Sequence, residues 1–173
     1  MTITQEHTRP GRAGPSTVRP VLGALGLLDL LADYVAETAT VLPVAPANLT
    51  TRHYELLERS DHVEIWAIHW PQGQGLELHD HGGSVGALWV VNGSLEEHYV
   101  QVGRAVGRRS IVAGGGAAFG PRYVHDVVNV GADPVTSVHA YSPPMESMNF
   151  YRQEVGGLVL DRTEYRVDPS WAP

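Results

Sequence analysis

The chain carries nine histidines in 173 residues, and their spacing is uneven. His79 and His81 flank Asp80 in a segment with strand character. Side chains two apart on a strand point to one face, so both imidazoles can reach the same metal ion. His125 and His139 lie in later strand-like segments. A closed sheet could carry one of them to the same point, and residue type alone leaves open which. Ser137, His139 and Tyr141 alternate along a single predicted strand. A hydroxyl, an imidazole and a phenol on one face can form a hydrogen-bonded relay.

These side chains need a scaffold, and the apolar pattern predicts one. Val21, Leu22, Ala24, Leu25, Leu27, Leu28, Leu30, Leu31, Tyr34 and Val35 recur at helical spacing, with Asp29, Asp33 and Glu37 on another face. Pro20 precedes this helix, Pro43 and Pro46 end the region, and Gly23 and Gly26 weaken its first turns. Beyond Asn48 the period changes. Strands are predicted at 54–58, 63–70, 84–91, 94–102, 117–119, 124–130, 135–141 and 158–160, with Asn92-Gly93 as a hairpin turn. Many short strands after one helix indicate an all-β sandwich or barrel. Residues 1–20, with three prolines and two glycines, are expected to be a mobile tail, and residues 21–173 a single domain.

Composition removes several kinds of chemistry. There is no cysteine, which excludes thiol nucleophiles, disulfides, zinc fingers and iron–sulfur clusters. All 12 basic residues are arginine, so no lysine is available for a Schiff base. The formal charge of −7 argues against a nucleic-acid surface. Arg104, Arg108 and Arg109 cluster, and are expected to form a solvated turn. No secretory pattern opens the chain, and the apolar run from Val21 to Ala32 is too short to span a bilayer. A cytoplasmic protein with no membrane partner is expected.

Gly73, five residues, His79-Asp80-His81, four residues, Gly86, six residues and Gly93 reproduce the spacing of the first cupin motif. Gly114, His125 and Asn129 approximate the second. The chain therefore resembles the cupin superfamily, which implies a double-sheet, jelly-roll-like β-barrel with a metal inside. The motif normally carries a glutamate where Gly86 stands. Without it, three neutral imidazoles leave about three positions of an octahedral metal open, enough for a chelating anion and O2.

Within that superfamily the resemblance narrows to cysteine dioxygenase, a thiol dioxygenase family. It is carried by Trp70-Pro71-Gln72-Gly73-Gln74-Gly75 before the His79-Asp80-His81 strand, by His125-Asp126-Val127-Val128-Asn129, and by Ser137-Val138-His139-Ala140-Tyr141-Ser142-Pro143-Pro144. The resemblance implies Fe(II) held by His79, His81 and His125, with His139 behind them in a Ser137–His139–Tyr141 relay that orients Tyr141. It implies that Arg52 binds the substrate carboxylate, a task suited to a planar guanidinium. In animal members a cysteine is cross-linked to the tyrosine; here that position is Gly86, as in the bacterial type. The implied reaction converts L-cysteine and O2 to cysteine sulfinic acid, in a protein that is often monomeric. The rivals are dioxygenation of another small thiol such as 3-mercaptopropionate, a non-catalytic metal-binding cupin, and a zinc or nickel cupin, since three histidines alone do not identify the metal.

Overall fold

The computed structural model describes residues 22–100 and 106–166, which hold one helix and eleven strands. In chain order these are α1 (Ala24–Thr38), β1 (His53–Arg59), β2 (Glu64–Trp70), β3 (Gly75–Asp80), β4 (Val85–Asn92), β5 (Ser94–Val100), β6 (Val106–Val112), β7 (Gly116–Phe119), β8 (Val124–Val128), β9 (Val135–Ser142), β10 (Ser147–Glu154) and β11 (Gly157–Tyr165). The tail expected at 1–20 lies outside the described residues, as does most of the segment after Tyr165.

The helix starts after Gly23, whose extended backbone lets its carbonyl accept the first helical bond, from the Leu27 N–H. The strands form two antiparallel sheets. One has the order β1-β2-β9-β4-β7, the other β11-β10-β3-β8-β5-β6. They pack face to face as the expected all-β barrel, with the N-terminal helix outside.

Strand alternation divides the apolar residues between two cores. Trp66, Ile68, Trp70, Leu88, Leu95, Phe119, Val127, Tyr141 and Phe150 fill the space between the sheets. Ile65, Ala67, Ala87, Val138 and Ala140 face the other way and pack beneath Leu27 and Leu31 of α1. The five-stranded sheet is thus covered on both sides, and every residue of β2 and β9 is buried. Their polar members, Glu64, His69, Thr136, Ser137, His139 and Ser142, are therefore buried as well. Trp66 belongs to the inner core and Trp89 to the helix-covered face.

Three sequence expectations need correction. Of the arginine cluster, Arg108 and Arg109 do not form a solvated turn but lie on β6, which pairs with β5 along its length, while Arg104 lies outside the described residues. Strand β10 has no counterpart among the predicted strands, although Met148 and Phe150 alternate inward along it. The strand expected at 158–160 is nine residues long and pairs throughout with β10.

Leu31 is fully buried between the helix and the sheet. Leu31→Ala should cost about 3 kcal/mol in urea unfolding. Leu25→Ala, at a position 74% exposed, should change stability by less than about 0.5 kcal/mol.

Candidate metal centre

His79 on β3 and His125 on β8 are direct cross-strand partners, and His81 follows one residue past the end of β3. All three rings are buried. One nitrogen from each lies within 4.8 Å of the others, and the Nε2 atoms of His81 and His125 are 3.3 Å apart. The turn carrying His81 is anchored by Asp80. Its carboxylate accepts hydrogen bonds from the Gly82 N–H (2.8 Å), Asn149 Nδ2 (2.9 Å) and the Tyr151 hydroxyl (2.6 Å). Gly82 has φ +59°, and a Cβ there would collide with Ser147.

Of the two later histidines, His125 joins His79 and His81. His139 sits on the opposite sheet, across the barrel. The outer nitrogens of the cluster explain which way two of the rings point. His79 Nδ1 lies 2.7 Å from the Glu77 carbonyl, and His125 Nδ1 lies 2.7 Å from Glu97 Oε1. Those oxygens accept a hydrogen, so Nδ1 donates and Nε2 of a neutral ring is left with a lone pair. Burial, reinforced by the neighbouring histidines, holds His79 and His81 well below the usual imidazole range. Neutral nitrogens converging in an apolar interior are the donor set a transition-metal ion requires. The three could hold such an ion.

On the facing wall, Trp70 Nε1 donates to Ser137 Oγ at 2.8 Å. An indole N–H can only donate, so it leaves the Ser137 hydroxyl hydrogen available to His139 Nε2, also 2.8 Å away. A neutral His139 then presents Nδ1–H to the Tyr141 oxygen at 3.3 Å, and the phenol hydrogen is free for the cavity. Burial, with the nearby His125 and the Arg52 cation adding, pushes His139 down to about 3. Burial raises the Tyr141 phenol, with Glu64 adding to the effect. Both groups thus stay neutral at ordinary pH.

Arg52 lies just before β1 with its guanidinium 5.4 Å over the Trp70 ring and 5.9 Å over Tyr54. Its charge reaches His79, His139 and Tyr141. Its Nη1 is buried and has no hydrogen-bond partner among the described residues. Between these walls lies a cavity lined by Ile68, Trp70, Leu76, His79, Val127 and Tyr141. Its volume is about 10 Å³, room for about one water.

Gly86 faces the same interior. A Cβ there would lie 2.7 Å from Phe119 Cζ, closer still to Cε2, and 3.0 Å from Tyr141 Cδ1. The Phe119 ring occupies the space a side chain at 86 would need, and stacks on His81 with 4.6 Å between centroids.

Sequence reasoning misses Asp80, Glu97 and Phe119. Glu97 carries a signal, because it falls between Leu95 and Tyr99 at the inward positions of a strand. Among the described residues, the other histidines do not join the site. His69 points to the outer face and contacts Thr136 Oγ1 at 3.0 Å. His53 stacks beside it. His98 sits between Glu96 and Asp126, alternating along β5 and β8 with inward-facing Glu97 and His125.

The family described as cysteine dioxygenase type I matches residues 29–154. Solved structures with a similar fold include the TT1209 protein of Thermus thermophilus, with 18% identity over 58% of this chain and 91% of that one, at a TM-score of 0.51. Recombinant oxalate oxidase in complex with glycolate has 15% identity over 62% of this chain and 59% of its own, at 0.54. Oxalate decarboxylase of Lactobacillus farciminis, as a formate complex, has 15% identity over 59% of this chain and 32% of its own, at 0.51. At such identities these likenesses show a common cupin fold. No helix among the described residues is long and apolar enough to cross a membrane.

Two measurements test this geometry. Gly86→Ala should cost about 1–3 kcal/mol by overpacking, and Phe119→Leu combined with it should recover part of that loss in denaturant unfolding. The second concerns pH. The unfolded chain takes up a proton at His139 near pH 6.5, whereas the folded protein resists it until about 3. This contribution to stability is therefore complete above about pH 6.5 and is lost as pH falls through that window towards about 3. Thermal unfolding of metal-free protein between about pH 8 and about pH 5 should show the decline, with a shallower slope in His139→Gln.

Proposed function

The chain belongs to the cysteine dioxygenase type I family, and from that premise we propose that it is an Fe(II)-dependent thiol dioxygenase that converts L-cysteine and O2 to cysteine sulfinic acid. The observation that carries this reading is three buried imidazoles converging on one point opposite the Tyr141 relay, with the Arg52 cation alongside.

In this reading His79, His81 and His125 hold the iron through Nε2. Bound iron supplies a Lewis acid that keeps the thiol as thiolate at neutral pH and the redox couple needed to react with O2. The protein's own groups do the rest. Arg52 pairs with the substrate carboxylate; its Nη1 has no partner among the described residues, and the aromatic faces of Trp70 and Tyr54 keep the cation desolvated. The relay from Trp70 through Ser137 and His139 holds Tyr141 neutral with its hydrogen toward the cavity, where it donates to substrate or oxygen. Ile68, Leu76 and Val127 exclude bulk water. The stoichiometry is self-contained. Two S–O bonds form, the O–O bond breaks, and sulfur gives up the four electrons that O2 accepts, so no external reductant is needed.

The carboxylate anchor favours thiols that bear an acid group. O2 uptake by iron-loaded protein, with L-cysteine, 3-mercaptopropionate, cysteamine and mercaptosuccinate offered separately, tests the proposal. Saturable uptake with cysteine, yielding the sulfinate, is expected. Arg52→Gln should lower kcat/KM for cysteine at least about 30-fold, the effect of losing one partner of a desolvated charge pair. Uptake only with another thiol would transfer the mechanism to that substrate. No uptake with any thiol, despite bound iron, would favour a binding protein.

A further inference from the structure

The three histidines of the centre differ in what lies behind them. His79 Nδ1 meets a neutral backbone carbonyl. His81 Nδ1 is buried with no partner among the described residues. His125 alone meets a carboxylate, that of Glu97, a fully buried residue of the adjoining strand β5.

A buried carboxylate is costly to desolvate, and an apolar residue would fill the same place without that penalty. Glu97 is held nonetheless. Its second oxygen is bonded by Arg109 Nε from β6. Arg109 in turn reaches the Tyr123 hydroxyl (3.4 Å) and lies 5.4 Å over the Tyr99 ring. Tyr123 packs edge-on to His125, with 5.3 Å between centroids. The assembly aims one anionic oxygen at one imidazole N–H, and an acceptor of that kind fixes the ring and makes its other nitrogen a stronger donor.

Gly86 makes the arrangement informative. At the position where cupins commonly supply an anionic ligand, this chain has no side chain, and Phe119 fills the gap. We infer that Glu97 is a positioning residue that supplies this negative charge from behind His125, making His125 the most electron-rich of the three donors, with Arg109 holding and partly neutralising it. The inference rests on the proposed metal centre.

Its test is metal binding by the full chain, without turnover. Wild type, Glu97→Gln and Arg109→Gln are titrated anaerobically with Fe(II) and with Co(II). Affinity, the visible Co(II) absorption and the midpoint potential of bound iron are read. Glu97→Gln keeps shape but removes charge; it should weaken Fe(II) binding roughly 10–100-fold, shift the Co(II) spectrum and raise the potential. Arg109→Gln keeps a donor near Glu97 but removes the opposing charge, so it should move the potential the other way. A purely structural role would move both variants in the same direction. That result, or an unchanged affinity and spectrum in Glu97→Gln, would overturn the inference while leaving the dioxygenase reading intact. Failure of the wild type to bind either metal would remove both. If Glu97→Gln does not fold, the sign of the Arg109→Gln shift decides.

Discussion

A buried, uncharged imidazole carries one hydrogen and one lone pair, and the interior of this barrel is organised by where its rings must put that hydrogen. His79 and His125 give theirs to oxygens behind them, so their lone pairs converge. His139 receives a hydrogen from Ser137 and passes its own toward Tyr141. A single indole N–H, that of Trp70, sets the direction of the second chain. Charged rings could do neither, because an imidazolium donates from both nitrogens. Burial is therefore part of the chemistry, and the fold's first task is to keep these rings dry.

The two sheets share that task unequally. The six-stranded sheet carries the clustered histidines, while the five-stranded sheet carries the relay and Trp70. The relay strand β9 lies between β2 and β4 and is covered from outside by α1. Its polar side chains are thus held by a strand with no solvent on either face. The wall that carries the histidine cluster is more open. Its outer surface carries His98, Glu96 and Asp126, and its inward charge, Glu97, needs an arginine from the next strand.

Much of this is legible in the residues. The Asn92-Gly93 turn, the alternation of Ser137, His139 and Tyr141, and the amphipathic helix are local signals, and each element forms where its period indicates. The choice between His125 and His139 is not local. Both sit on strands at inward positions, and only the sheet to which each strand belongs separates them. Arg109 misleads for a related reason. Beside Arg108 it resembles a solvated pair, and its buried partner lies twelve residues back, on the opposing strand of a hairpin. Strand β10 escapes notice because Ser147, Asn149 and Arg152 dilute an apolar pattern of only two inward residues. Local period thus exposes the elements, while pairings across strands remain hidden.

The contact between Gly86 and Phe119 bears on how such a site can change over evolutionary time. A larger residue at 86, whether cysteine beside Tyr141 or glutamate toward the histidine cluster, meets a ring already in place. The same ring stacks on His81, so it cannot be displaced without disturbing a residue of the centre. A lineage that acquired the side chain first would lose packing before gaining any chemical benefit. One that first trimmed Phe119 would open the space but loosen the ring's packing on His81, Tyr123, His125 and Tyr141. Either single step has a packing cost, and positions 86 and 119 are therefore expected to change as a pair.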